Sequence, residues 1–290
     1  MVAAAMQGRV CLITGATSGI GLVTARVLAQ QGATVLVVGR DAARGAAAVR
    51  HIREASGNAD VALFLADLSV QGQVRRLAAE VRRRFSQLHV LINNAGALFS
   101  RRTLSADGIE MTFALNHLAY FLLTHLLLDR LKASAPARII NVASDAHRSA
   151  TLDFADVQGA RRYNGWRAYC QSKLANVLFT YELARRLQGS GVTANALHPG
   201  FVATRFGHNN RGLCAWTIRL AQLVALSPER GAETVVYLAT APEVAEVSGA
   251  YFVKKRPVSS SPASYDVEAA RRLWQLSAAL TGLAPDPAVA

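Results

Sequence analysis

With 290 residues, 51% of them hydrophobic, and a mean hydropathy of +0.20, the chain holds apolar material for a large buried core, which excludes a disordered tail or linker protein. A net charge of +13 raises a nucleic-acid role, but the arginines come in scattered groups (Arg75-Arg76, Arg82-Arg83-Arg84, Arg161-Arg162, Arg185-Arg186, Arg271-Arg272) of helical period without interleaved aromatics. They read as solvated faces, and no nucleic-acid partner is expected.

Cys11, Cys170 and Cys214 are widely spaced and the histidines show no ligand spacing, so neither a disulfide framework nor a metal site is expected. Residues 1–7 lack the basic start and apolar run of a secretion signal. The apolar tract 118–128 falls short of the roughly 20 residues a membrane helix needs. A cytoplasmic protein with no integral membrane segment is expected.

Short apolar runs alternate with helical patterns along the chain: 9–14 then 20–31, 34–39 then 41–55, 61–66 then 70–85. Such alternation specifies a parallel sheet with helices on both faces. The series continues with a strand at 90–92, a long helix over about 107–132, a strand at 138–142, a helix over about 166–188 and a strand at 193–197. After His198-Pro199-Gly200 the rhythm lapses: 211–226 reads as an amphipathic helix and Ser227-Pro228 as the start of the next. A strand at 251–253, a Ser/Pro-rich loop at 254–264 and a terminal helix over 266–280 complete a single domain of about seven strands, with a lid segment at about 201–226.

The strand at 9–14 runs into Thr14-Gly15-Ala16-Thr17-Ser18-Gly19-Ile20-Gly21, whose glycines open the following helix. Free N–H groups and the dipole at such a helix start favour a pyrophosphate, and glycine permits its close approach. The spacing G-x-x-x-G-x-G departs from G-x-G-x-x-G, so alone it fits a plain strand-to-helix turn as well. A second signal is Tyr169-Cys170-Gln171-Ser172-Lys173, where Tyr and Lys at i and i+4 share a helix face and set a cation beside a phenol. A free tyrosine has a pKa of about 10. The lysine is expected to lower it and make Tyr169 a proton donor near neutral pH. Ser144, just past the strand at 138–142, is placed to hydrogen-bond the same substrate oxygen.

Thr-Gly-x-x-x-Gly-Ile-Gly at 14–21, Asn93-Asn94-Ala95-Gly96, Ser144 and Tyr169-x-x-x-Lys173, in that order over nearly the whole chain, resemble the short-chain dehydrogenase/reductase superfamily. Ala-Tyr-Cys-Gln-Ser-Lys-Leu-Ala-Asn at 168–176, His198-Pro199-Gly200 and the ending from Leu273-Trp274 to Thr281-Gly282 look like its retinol-dehydrogenase-like branch. The resemblance implies an α/β, Rossmann-type doubly wound sheet. It implies a nicotinamide dinucleotide held by Gly15, Thr17, Ser18, Gly19, Ile20, Gly21, Asn94, Ala95, Gly96, Pro199, Gly200, Val202 and Thr204, with Asp67 and Leu68 on the adenine side. It adds that Lys173 binds the nicotinamide ribose beside Tyr169, and that Asn116 holds a water that relays protons.

Family members that take NAD usually carry an acid where Gly39 stands; here Arg40 follows and suits a 2′-phosphate. The competing acid is Asp41, twenty residues past Gly21, which reads instead as the N-cap of its helix. NADP(H) is therefore expected in preference to NAD(H).

Ser144 and Tyr169 stand 25 residues apart, more than in most of the superfamily, and the extra segment at about 151–164 is expected to cover part of the substrate mouth. Candidate mouth residues are Phe99, Asp145, Ala146, His147, Phe201, Phe206, Leu213, Cys214 and Trp216, and an apolar lid suggests a lipophilic aldehyde, ketone or alcohol. The same residues also fit a lid that only packs on the sheet. Two rival activities share these motifs: reduction of an activated C=C bond, with Tyr169 protonating carbon, and nucleotide sensing without turnover. A homodimer follows from the resemblance alone.

Overall fold

The computed structural model describes residues 5–202 and 226–284. Seven strands pair in parallel in the order β3-β2-β1-β4-β5-β6-β7. They are β1 Val10–Thr14, β2 Thr34–Gly39, β3 Val61–Leu65, β4 Val90–Asn93, β5 Ala137–Val142, β6 Val192–His198 and β7 Tyr251–Val253. Alternation along each strand sends side chains to two cores. Leu12, Leu36 and Val38 join Val74, Leu122 and Phe179 on one face, while Cys11, Ile13, Val35 and Val37 join Leu28, Ile52 and Val235 on the other. Burial pushes the Cys11 thiol up to about 12, so it is an inert core residue.

The first face carries α3 Gln71–Arg84, α4 Met111–Ala133 and α5 Gly165–Arg186; the second carries α1 Gly19–Gln30, α2 Ala42–Ser56 and α6 Pro228–Thr240. A last helix, α7 Val267–Thr281, lies across α5. Its Trp274 stacks edge-on against Phe121, with centroids 5.2 Å apart, and the Arg186 guanidinium sits 4.1 Å from its ring centroid.

Two boundaries differ from the periodicity. An eighth strand, β8 Arg256–Pro257, pairs antiparallel with β7 inside the expected loop. Its hairpin turns on Lys254 and Lys255 at φ 49° and 64°, a left-handed pair that glycine or asparagine usually marks. The strain is offset by bonds to α6, from Lys255 N to Thr234 Oγ1 (3.2 Å) and from Lys255 Nζ to Glu233 (3.0 Å). The long helix starts at Met111 because buried Glu110 caps it, accepting from Thr112 N and Phe113 N at 2.8 Å each.

That helix is long and apolar enough to cross a membrane by length and composition, which the tract 118–128 alone did not suggest. Here 72% of its most apolar window is buried within the fold. Its His117 is fully buried, and Nε2 lies 2.8 Å from Ser277 Oγ of α7. Burial drives this imidazole down to about 4. A histidine whose folded pKa lies below its unfolded value near 6.5 withdraws stability as pH falls through that value, so roughly 3 kcal/mol is expected to be lost between pH 7 and 4. Urea unfolding across that range measures it; a midpoint that rises toward acid contradicts it.

Candidate active site

The strand order reverses between β1 and β4, and the crevice there opens beyond their carboxyl ends. The glycine turn sits in it. Gly15 and Gly19 take φ of 67° and 56°, and a Cβ on Gly21 would come 2.6 Å from Gly15 O and 2.7 Å from Asn94 Nδ2. The two chain segments are tied by Thr14, whose Oγ1 accepts from Asn94 N (2.8 Å) and Ala95 N (3.0 Å), and whose carbonyl accepts from Asn94 Nδ2 (2.8 Å). Ser18 caps α1 without a side-chain bond and no acid lies in the first turn, so the helix start is chemically fit for an anionic group. Beside it, Ile20 and Val202 both crowd Gly231, where a Cβ would lie 3.0 Å and 2.6 Å from their side chains. The Pro199-Gly200 bend, with Gly200 at φ 89°, thus brings Val202 next to the glycine turn.

At the end of β2 a Cβ on Gly39 would meet Thr17 Cγ2 at 2.4 Å, which excludes an acidic side chain there unless Thr17 gives way. Asp41 caps α2 through Arg44 N (2.9 Å) and pairs with the Arg44 guanidinium at 3.3 Å, as its N-cap reading required. Arg40 is exposed, with no hydrogen-bonding or ionic partner among the described residues. Asp67 accepts from Ser69 N and Oγ through Oδ1, at 3.0 and 2.7 Å. Leu68 is buried in the core, so only its backbone faces the crevice end of β3.

Across the crevice stand the four residues of the motif set. Ser144 follows β5 in extended conformation; its Oγ accepts from Ala146 N (3.2 Å), and its hydroxyl favours the Tyr169 phenolate. Lys173 Nζ donates to Val142 O at 2.9 Å and lies 5.7 Å from the Tyr169 ring centroid. Asn116 sits in a π-turn of α4, Ala114–Leu118; its Nδ2 donates to Ala97 O (2.9 Å) and Ser172 Oγ (3.0 Å), and its Oδ1 accepts from Ala97 N (2.9 Å). A Cβ on Gly96 would lie 3.2 Å from Asn116 Oδ1 and 3.5 Å from Lys173 Nζ, so the glycine lets the β4 loop approach both.

Burial dominates the electrostatics of the pair. Burial pushes the Tyr169 phenol up to about 12, with the Ser144 hydrogen bond opposing it, and burial pushes Lys173 down to about 7. Spacing on a helix face predicts attraction between the pair, but in the fold both groups leave water and desolvation outweighs it.

Residues 9–212 match the family model of the short chain dehydrogenases. The chain belongs to that family. Within it, the dehydrogenase is 45% identical to human retinol dehydrogenase 13 over 97% of its own length and 86% of the relative's, and 43% identical to human retinol dehydrogenase 12 over 96% and 88%. Its branch is retinol-dehydrogenase-like. Among solved structures, an uncharacterised protein of Mycobacterium paratuberculosis matches with a TM-score of 0.77 at 36% identity, covering 96% of this chain and 94% of that one. The Pseudomonas aeruginosa RhlG protein in its NADP complex matches at 0.69 and 28%, covering 87% and 96%.

The mouth of the dehydrogenase is only partly as expected. The extra segment docks on the β4 loop: Tyr163 Oη donates to Phe99 O (2.9 Å) and Glu110 Oε1 (3.0 Å), and a Cβ on Gly165 would come 2.3 Å from Phe99 O. Asn164 then caps α5 through Arg167 N (2.9 Å), which starts the helix one turn before the catalytic-motif tyrosine. His147 does not face the mouth. It is fully buried, its Nδ1 donates to Ser144 O (2.7 Å) and its Nε2 accepts from Ser261 N (3.0 Å). Asp145 is drawn to the sheet edge, where its Oδ1 accepts from Tyr251 Oη at 3.0 Å. Thr204, Phe206, Leu213, Cys214, Trp216 and residues 211–225 of the helix expected at 211–226 lie outside the described residues, and Leu226 forms a bridge with Val202.

Motif reading missed Trp166. It is 56% exposed and stacks on Tyr169 with centroids 5.7 Å apart and planes at 27°. The available signal was its i, i+3 spacing to the tyrosine, which places both rings on one helix face.

Proposed function

We propose that the protein is an NADP(H)-dependent oxidoreductase that interconverts a lipophilic aldehyde or ketone and its alcohol, with Tyr169 as general acid and base. The observation that carries this reading is the buried Tyr169, with Lys173 over its ring and Ser144 favouring its phenolate, across from the glycine turn. The bound nicotinamide dinucleotide supplies or accepts the hydride. Tyr169 donates its hydroxyl proton to the carbonyl oxygen in reduction and takes it back in oxidation. Ser144 Oγ hydrogen-bonds the same oxygen and stabilises its developing charge. Lys173 and the Asn94-Ala95-Gly96 loop would hold the nicotinamide half, and Gly15, Thr17 to Gly21, Pro199, Gly200 and Val202 would hold the pyrophosphate. The Asn116 side chain is spent on Ala97 and Ser172, so a relay water would rest on its main-chain carbonyl.

Preference for NADP(H) is supported by the closed Gly39–Thr17 contact, by Asp41 being used as a cap, and by the exposed Arg40 beside them. RhlG and a Burkholderia cenocepacia relative of 28% identity were both solved with NADP. A lipophilic substrate is supported by the exposed rings of Trp166 and Phe201 and by the retinol dehydrogenase relatives.

Purified protein assayed against a panel of lipophilic aldehydes and ketones, with NADPH and NADH in parallel, tests the reading; consumption of neither coenzyme with any member overturns it. Trp166 is expected to form the wall against which such a substrate packs. Trp166→Ala should raise KM for a long-chain aldehyde about tenfold, the loss of roughly 1.4 kcal/mol of apolar contact, with kcat kept. An unchanged KM places the ring outside the substrate path.

A further inference from the structure

We infer that Tyr120 is a positioning residue for proton transfer: its buried hydroxyl holds a water against the Lys173 ammonium and so keeps that ammonium charged beside Tyr169. The inference rests on the proton-transfer reading of this site and adds a residue that no motif assigns to it.

Lys173 Nζ lies over two phenol rings, 5.7 Å from the centroid of Tyr169 and 5.9 Å from that of Tyr120. Tyr120 is 1% exposed, and its hydroxyl has no hydrogen-bond partner among the described residues. It belongs to a stripe on α4, with Asn116 one turn before and Thr124 one turn after, at spacings that share one face. The stripe is polar along a buried seam, and its other two members are satisfied: Asn116 by Ser172 and Ala97, and Thr124 by Asn93 Nδ2 at 3.1 Å. Asn93 Oδ1 is the seam's other unmet atom.

Leaving a buried hydroxyl unmet is destabilising, a cost that phenylalanine at the same position would avoid. Buried polar groups in this situation are normally met by an enclosed water. Lys173 is the neighbouring donor with capacity left, since an ammonium has three N–H groups and the structure gives one to Val142 O. A water that accepts from Nζ and donates to the phenol satisfies both groups.

The consequence is electrostatic. Among the described residues, the titratable groups facing Lys173 are Tyr169 on its own helix and Tyr120 on α4; β5 presents the Val142 carbonyl and the β4 loop presents Gly96, beside the Asn116 amide of α4. Burial is what lowers the lysine, and no carboxylate among the described residues opposes it. Hydrogen bonds to the ammonium are then what keeps the charge in place, and each one removed lowers its proton affinity.

The chain's only lysines are Lys132, Lys173, Lys254 and Lys255, so Lys173 is readily followed by 13Cε NMR and assigned with Lys173→Arg. Tyr120→Phe keeps the ring and removes only the hydroxyl. The Lys173 titration is expected to move down by more than about 0.3 pH unit relative to wild type. The pH profile of kcat/KM for a panel aldehyde with NADPH is expected to shift in the same direction, with the NADPH KM unchanged. A smaller or upward shift of the lysine titration overturns the inference, and a higher urea midpoint alongside it would show that the hydroxyl was a buried orphan. The titration needs no substrate. If no panel member turns over, the proposed function fails while the lysine titration still decides the role of Tyr120.

Discussion

Tyr169→Phe is expected to lower kcat for carbonyl reduction about 10³-fold while leaving the NADPH KM within a factor of two, because it removes the proton donor and little else. The ring keeps its stack on Trp166 and its place beside Lys173; what is lost is the hydroxyl. Stopped-flow NADPH oxidation with wild type and variant measures the effect. A variant that retains more than a tenth of wild-type kcat excludes Tyr169 as the acid.

The buried environment also predicts how the two directions respond to pH. With the phenol pushed up to about 12, Tyr169 is protonated through the neutral range, ready to act as an acid. Reduction is therefore expected to show no titration of the phenol near neutrality, so that an inflection there belongs to Lys173. Oxidation needs the phenolate and is expected to climb with pH, by up to tenfold per unit while pH stays below the phenol's pKa. An oxidative rate that falls between pH 7 and 9 would contradict this assignment.

The coenzyme site gives the second large effect. Arg40→Ala is expected to weaken NADPH about 10- to 100-fold, the worth of a charge-assisted contact, and to leave NADH unchanged. An equal effect on both coenzymes would remove Arg40 from the 2′-phosphate site. Gly39→Asp alone is expected to impair both coenzymes, because the new Cβ meets Thr17 Cγ2 at 2.4 Å. Gly39→Asp with Thr17→Gly opens that contact and is expected to turn the preference toward NADH. The two substitutions should couple strongly, since they occupy one space. Titration of protein fluorescence with each coenzyme measures the four-variant cycle, and additive effects would show that Thr17 does not set the choice.

Much of this molecule is legible along the chain. Strand and helix alternation reads directly as a parallel sheet because the period of two, then 3.6, is imposed by backbone geometry. The glycine turn reads directly because only glycine tolerates its φ values and its contacts with Asn94 and Ala95. Asp41 reads as a cap because capping is settled within four residues. The hairpin at Lys254-Lys255 does not read in this way: its left-handed residues lack the usual glycine and are held by α6, which lies earlier in the chain.

The same division runs through the site. Sequence by itself determined the fold class and the family and singled out Asn116, Ser144, Tyr169 and Lys173 as candidates, because those depend on residue type and order. Only the tertiary structure decided their electrostatics and their neighbours. Spacing on one helix could not foresee that Tyr169 and Lys173 are both desolvated, that His147 turns inward to Ser261, or that Tyr120 arrives from another helix to flank the lysine. Burial and long-range contact are properties of the packed molecule, and they determine what a tyrosine beside a lysine does.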